Sequence, residues 1–186
     1  DYKNLTNDLN NYNLQIRELF ANAITLLVNN NDLIPLERLD TLKIASLSIG
    51  APGLSPFQEM LKNYAPINEF QIKSKPDKNE SEGILESLND YNLIIIDFQG
   101  TYIFSVKNYG IHQEAWDLIG KINKKHKIIL NIFASPYSLL SMPDSIHSES
   151  LILSYQDDIV AQELSAQLIF GGIRAMGKLP VDVDST

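Results

Sequence analysis

Two stretches of this chain, NLIIIDF (92–98) and HKIILNIF (126–133), are apolar at nearly every position, and between them Ile111, Ala115, Leu118, Ile119 and Ile122 recur at helical spacing. A strand with one wet face alternates polar and apolar residues, whereas a strand apolar on both sides has to be covered on both. Two such strands joined through a helix are committed to lie parallel, with the helix crossing over one face of the sheet. The unit recurs along the sequence. TLKIASLSIG (41–50) is closed by Gly50 and Pro52 and leads into a helical face of Phe57, Met60, Leu61 and Tyr64. NEFQIK (68–73) precedes Ile84, Leu85 and Leu88, which suggest another short helix. SLILSY (150–155) runs into a helix capped by Asp157 and Asp158, carried by Val160, Leu164 and Leu168, and stopped by Gly171-Gly172. This alternation predicts an α/β protein, a three-layer α/β/α sandwich around a mostly parallel, doubly wound sheet of the flavodoxin or Rossmann kind. Upstream, Ile16, Leu19, Phe20, Ala23, Ile24 and Leu27 predict one long helix ending in the breaker stretch NNNDLIPLERLD, and downstream LPVDV (179–183) is expected to form a short terminal strand.

The bulk properties fit such a domain. With 186 residues and 44% hydrophobic content, the chain can bury the core of one ordinary domain. Its formal charge of -8 repels nucleic acid, and the one dense basic run, Lys121 to Lys127, lacks interleaved aromatics and reads as a solvated helix end. No apolar run approaches the roughly 18 residues of a membrane span. The chain has no cysteine, so disulfides, thiolate catalysis and cysteine-bound zinc are all removed.

In an open parallel sheet, ligands bind outside the carboxyl ends of the strands, which directs attention to GAPGLSP (50–56), DFQGTYIFSVKNYG (97–110), FASPYSLLSMPD (133–144) and SYQDD (154–158). GAPGLSP lacks the glycine spacing of a dinucleotide site and reads as a tight turn. Ser135 lies outside any nucleophile-elbow pattern. His112, His126 and His147 are too far apart in sequence for a local metal motif, so no metal is expected. Asp97 ends the central strand, as the phosphoryl-accepting aspartate of a receiver domain does, but SIGAP supplies no acidic pair to hold magnesium. Gly172 to Lys178 fits the first seven positions of a phosphate loop, yet Leu179 replaces the Ser or Thr that would ligate Mg²⁺ and no helix follows. No cofactor is therefore expected. The loop from Asp97 to Tyr109 exceeds the usual two to six residues between strand and helix, an excess that is often functional. Its amides and hydroxyls suit a neutral polar ligand such as a sugar, which makes Asp97, Gln99, Thr101, Tyr102 and Asn108 the candidate cleft residues.

Five longer stretches add a resemblance that physics alone would not supply. The lead-in ITLLVNNNDLIPL (24–36), the segments KIASLSIG (43–50) and SPFQEMLKNY (55–64), the strand and loop IIIDFQGT with YGI downstream, and the closing SYQDDIVAQELSAQLIFGGIRAMGKLPVDV (154–183) resemble the C-terminal domain of glycoside hydrolase family 3. The match covers nearly the whole chain. It implies a parent protein in which a (β/α)₈ barrel precedes this domain and binds the sugar. The nucleophile would be a barrel aspartate, with hydrolysis of retaining type, and GKLPV a structural signature that binds no nucleotide. Members resembling β-glucosidases take their acid/base glutamate from this domain, whereas members resembling β-N-acetylglucosaminidases use a barrel histidine. The strand-end loops hold no such glutamate; Glu59 and Glu82 fall on or beside predicted helices, which favours the N-acetylglucosaminidase branch.

The resemblance thus implies residues 1–40 as a helix and linker following a catalytic barrel, and residues 41–186 as the sandwich. The barrel of the same polypeptide and a carbohydrate are the implied partners, in a bacterial periplasm or outside the cell. No catalytic residue is assigned to the chain itself. The alternative is a non-catalytic carbohydrate-binding or interaction module of the same fold, since fold alone does not fix function. The polar, asparagine-rich beginning reads as a cut in a linker and favours a fragment.

Overall fold

The computed structural model describes the backbone of residues 2–180 apart from Ile103 and Val106, and side chains from residue 11 onward. Helix α1 (Tyr2–Ala23) is followed by strand β1 (Thr25–Asn29), then β2 (Ile44–Ile49), α2 (Pro56–Lys62), β3 (Ile67–Ile72), α3 (Lys78–Ser87), β4 (Leu93–Phe98), α4 (Gln113–Asn123), β5 (Lys127–Ile132), β6 (Ser150–Leu153) and α5 (Ile159–Ile169). The six strands form one sheet in the order β1-β6-β5-β4-β2-β3, with every pair parallel except β1 against β6.

The burial of β2 and β4 follows from their composition, because every residue of both strands is buried. One face of the sheet packs Ile94, Ile96 and Leu130 against Ala115, Trp116, Ile119 and Ile122 of α4 and Leu85 of α3. The other packs Ile95, Ile129 and Ile152 against Phe57 and Leu61 of α2, Leu164 and Leu168 of α5, and Phe20 of α1. These are the three layers expected. From β2 the chain winds outward to β3, and from β4 it winds the other way through β5 to β6, so the winding reverses between the carboxyl ends of β2 and β4.

The first 40 residues differ from the expectation of a helix and linker. The helix stops at Ala23, and Thr25–Asn29 pairs with β6 as an antiparallel edge strand. Ile24 is fully buried, and Ile34 and Leu36 lie in the core beside α5. Ile24 and Leu27 satisfy helical spacing by coincidence, since a three-residue step also suits a strand containing a bulge, which here lies between Leu26 and Val28.

The glycines near the end have structural roles. Gly172 N–H donates to Gln167 O (2.8 Å) and Gly171 N–H to Leu168 O (3.1 Å), the double bond of a helix cap whose C′ residue must take positive φ. Gly171 does so at +79°. Gly177 lies against the α1–β1 junction, where its N–H donates to Ile24 O (3.1 Å) and a side chain would meet the backbone of Ala23. The phosphate-loop pattern is therefore a strap over β1. Leu179 and Pro180 are not in a strand, and the rest of the expected terminal strand lies outside the described residues.

Candidate functional site

The reversal of winding places a crevice at the carboxyl ends of β2 and β4, the position where doubly wound sheets bind ligands. A cavity of about 340 Å³ occupies it, lined by residues 51–56 and Gln99. Larger grooves of about 510 Å³ beside α4 and about 480 Å³ along α1 lie away from this point.

Parallel register sets Ser48, Asp97 and Asn131 side by side in a polar row across three strands, beneath α2 and α5. Asp97 is fully buried. Its Oδ1 accepts from Ser48 Oγ (2.7 Å) and its Oδ2 from Gln99 Nε2 (2.6 Å). Gln99 Oε1 accepts from Gln162 Nε2 (3.0 Å), which also donates to Asp157 Oδ1 (2.7 Å), and Asp157 Oδ2 accepts from Gly100 N–H (2.6 Å). Burial pushes the Asp97 carboxyl up to about 7, against the hydrogen bonds from Gln99 and Ser48 that pull it down, and the nearby Asp157 adds to the rise. Burial also raises Asp157 above the ordinary carboxylate range, opposed by the bonds from Gly100 and Gln162.

These contacts sort the candidate residues. Asp97 and Gln99 hold the base of the loop from below, Asp97 fully buried and Gln99 both bonded to Asp97 and Gln162 and lining the crevice cavity. Thr101 donates its hydroxyl to Phe133 O and ties the loop to the residue that follows β5. The neck of the loop closes where Tyr102 N–H donates to Tyr109 O (2.9 Å). Tyr102 and Phe104 project, 51% and 72% exposed. Asn108 spends its Nδ2 on Ile111 O (3.0 Å), and its carbonyl oxygen has no hydrogen-bond partner among the described residues. Lys107, Asn108 and Tyr109 all have φ between +53° and +58°, a left-handed turn that costs roughly 1–2 kcal/mol at each non-glycine residue and belongs with functional loops.

Sequence reasoning missed Gln162, Ser48 and Asn131, and gave Asp157 a different role. Asp158 alone caps α5, accepting from Val160 N–H (2.8 Å). Asp157 reaches across to the 97–110 loop, aimed there by a tight turn in which Tyr155 takes φ +63° and Gln156 N–H donates to Ser154 O (2.7 Å). The acidic pair was visible in SYQDD, but its division of labour depends on a turn that sequence spacing does not encode. Among the described residues, no cluster of acidic and histidine side chains could hold a metal ion, and no helix is long and apolar enough to cross a membrane.

No family model and no curated protein sequence matches the chain. Solved structures do. A glycoside hydrolase family 3 β-N-acetylglucosaminidase from Paenibacillus sp. str. FPU-7 superposes with a TM-score of 0.72 at 15% identity, over 92% of this chain and 32% of that one. A fungal multi-domain GH3 β-N-acetylglucosaminidase gives 0.66 at 19% identity, over 90% of this chain and 18% of that one. A β-glucosidase from Listeria innocua in complex with isofagomine gives 0.64 at 11% identity, over 84% of this chain and 25% of that one. The chain thus spans at most about a third of the structures named here. The motif resemblance and these superpositions agree on one fold, and this chain has the α/β domain fold found within solved family 3 glycoside hydrolases.

Proposed function

We propose that this chain is the C-terminal domain of a family 3 glycoside hydrolase, closing one side of a substrate cleft whose catalytic machinery sits on a preceding (β/α)₈ barrel. The observation that carries this reading is the superposition over 92% of the chain on a structure three times its length, joined to the lead-in and closing motifs. An exposed apolar strip supports a covering domain. Tyr12, Leu19 and Ile159 are each at least 60% exposed, and two grooves of about 480 and 400 Å³ share Leu19, Phe20 and Gln156 beside them.

Within that reading the substrate is a terminal β-linked sugar, and the preferred class is the β-N-acetylglucosaminides. Two observations support the preference. The 97–110 loop contains no glutamate to act as proton donor, and two of the similar structures are β-N-acetylglucosaminidases. Asp97 does not fill the missing role, because its oxygens are sealed under the loop. The chain contributes a wall: Tyr102 as a stacking face, Asn108 Oδ1 as an acceptor, and a left-handed turn that holds both. Alone, the domain hydrolyses nothing.

An amide-resolved NMR titration of the 186-residue chain with N-acetylglucosamine, then glucose, then flavin mononucleotide tests this wall. The expected shifts fall on residues 99–112 and 51–55, and are larger for N-acetylglucosamine. A response to the flavin alone would sink the glycosidase reading, and sugar-induced shifts elsewhere on the domain would favour a separate carbohydrate-binding module.

A further inference from the structure

The hydrogen-bonded chain under the 97–110 loop has a fixed direction. Phe57 N–H donates to Gln162 Oε1 (3.1 Å), and a backbone amide can only donate, so Gln162 must turn its Nε2 toward Gln99 and Asp157. Gln99 must then accept on its oxygen and donate its own Nε2 to Asp97. Two buried or half-buried carboxylates are thus joined through two amides. Around Asp97 stand Ser48 of β2, with Ser55 ahead of α2 behind it, Asn131 at the paired position of β5, and Gln99, all uncharged. The charged group acting on it is Asp157, with Asp158 acting in turn on Asp157.

The site has room for one proton on Asp97. Ser48 Oγ can donate to the carboxylate, or it can accept from the carboxylic acid and turn its hydrogen toward Ser55 Oγ at 3.4 Å. The two carboxylates differ in their freedom to respond. Asp97 is locked in a central strand, whereas Asp157 stands in a surface connection, directly after a strained turn at Tyr155. A second negative charge arising on Asp97 is relieved most cheaply by moving Asp157 into water, and that movement removes the acceptor of Gly100 N–H.

We propose that Asp97 and Asp157 form a proton-operated latch on the 97–110 loop: with Asp97 neutral, Asp157 stays docked on Gly100 N–H and fixes the base of the loop, and with Asp97 ionised, Asp157 swings to solvent and frees it. Burial sets the changeover near neutrality. Asn131 Nδ2, buried beside Asp97 without a hydrogen-bond partner among the described residues, is the spare donor that can turn to the ionised form. The latch does not depend on the loop meeting a sugar, so it and the glycosidase reading fail separately.

The test is ¹H–¹⁵N NMR of the 186-residue chain between pH 5.5 and 8.5. The Gly100 amide and the Gln162 side-chain NH₂ are expected to shift with a common midpoint near 7. Gly100 protection, corrected for intrinsic exchange, should fall at least tenfold across the range. Asp97→Asn mimics the neutral acid and should abolish this titration. Asp157→Asn, at a more accessible position, removes the charge that answers Asp97 and leaves one amide oxygen for the two donors Gly100 N–H and Gln162 Nε2; whichever bond it keeps, the midpoint near 7 at Gly100 should vanish, which tests the latch even if the buried substitution prevents folding. A wild-type Gly100 signal that does not move, or the same midpoint in Asp97→Asn, overturns the proposal.

Discussion

Asp97 shows how one buried side chain makes a whole domain sensitive to pH. Its folded pKa, about 7, lies above the ordinary value of 3.8, so the folded state holds a proton that the unfolded state releases. Its contribution to stability is therefore complete below about pH 4 and is lost as pH rises through about 7. Urea unfolding at pH 5 and pH 8 should show the wild type losing roughly 2–3 kcal/mol over that interval, with Asp97→Asn nearly level. A wild-type curve that rises over the same interval would refute the burial argument. Gly177 offers a test of a different kind. A methyl there runs into the backbone of Ala23, so Gly177→Ala should cost about 1–3 kcal/mol in the same assay although the residue lies in an irregular strap. Of these roles, the position of Asp97 at a strand end was legible in sequence. Its partners were not, because Gln162 reaches Gln99 across 63 residues of chain and only the crossover from β6 to α5 brings them together.

Elements with continuous apolar runs were the most legible: β4, β5, β6, α4 and α5 fall where their patterns place them, because burial on both faces leaves no competing reading. β1 was not. Thr25–Asn29 carries Leu27, which continues the helical stripe of α1, and only pairing with β6 decides between the two periods. The ends of α5 illustrate the division between local and distant signals. Its start is set locally by Asp158, whose carboxylate caps Val160 N–H, and Asp158→Ala should lower stability by about 1 kcal/mol in thermal unfolding without altering the 97–110 loop. Asp157→Ala, one residue earlier, should do the reverse, loosening Gly100 and its neighbours as read by hydrogen exchange while leaving α5 intact. If both substitutions frayed the helix equally, the separation of roles between these two aspartates would be wrong.

At the scale of the whole molecule, the winding of the sheet points to the carboxyl ends of β2 and β4, where a long strand-to-helix loop stands with Tyr102 and Phe104 outermost among its described residues. What chemistry passes across that face was only partly legible. The carboxylate that attacks a glycoside is not expected within these residues, and a wall is recognised by what it faces. The most direct measurement is hydrolysis of aryl β-N-acetylglucosaminide and aryl β-glucoside by a polypeptide in which this domain follows the barrel proposed for it, with residues 99–111 intact and with the tip, 102–109, replaced by glycine and serine. The expected result is turnover of the N-acetylglucosaminide, with KM raised at least tenfold by the replacement and no loss of thermal stability in the remainder. Failure to hydrolyse either glycoside, or full activity without the loop tip, would contradict the assignment of this domain as the wall of a glycosidase cleft.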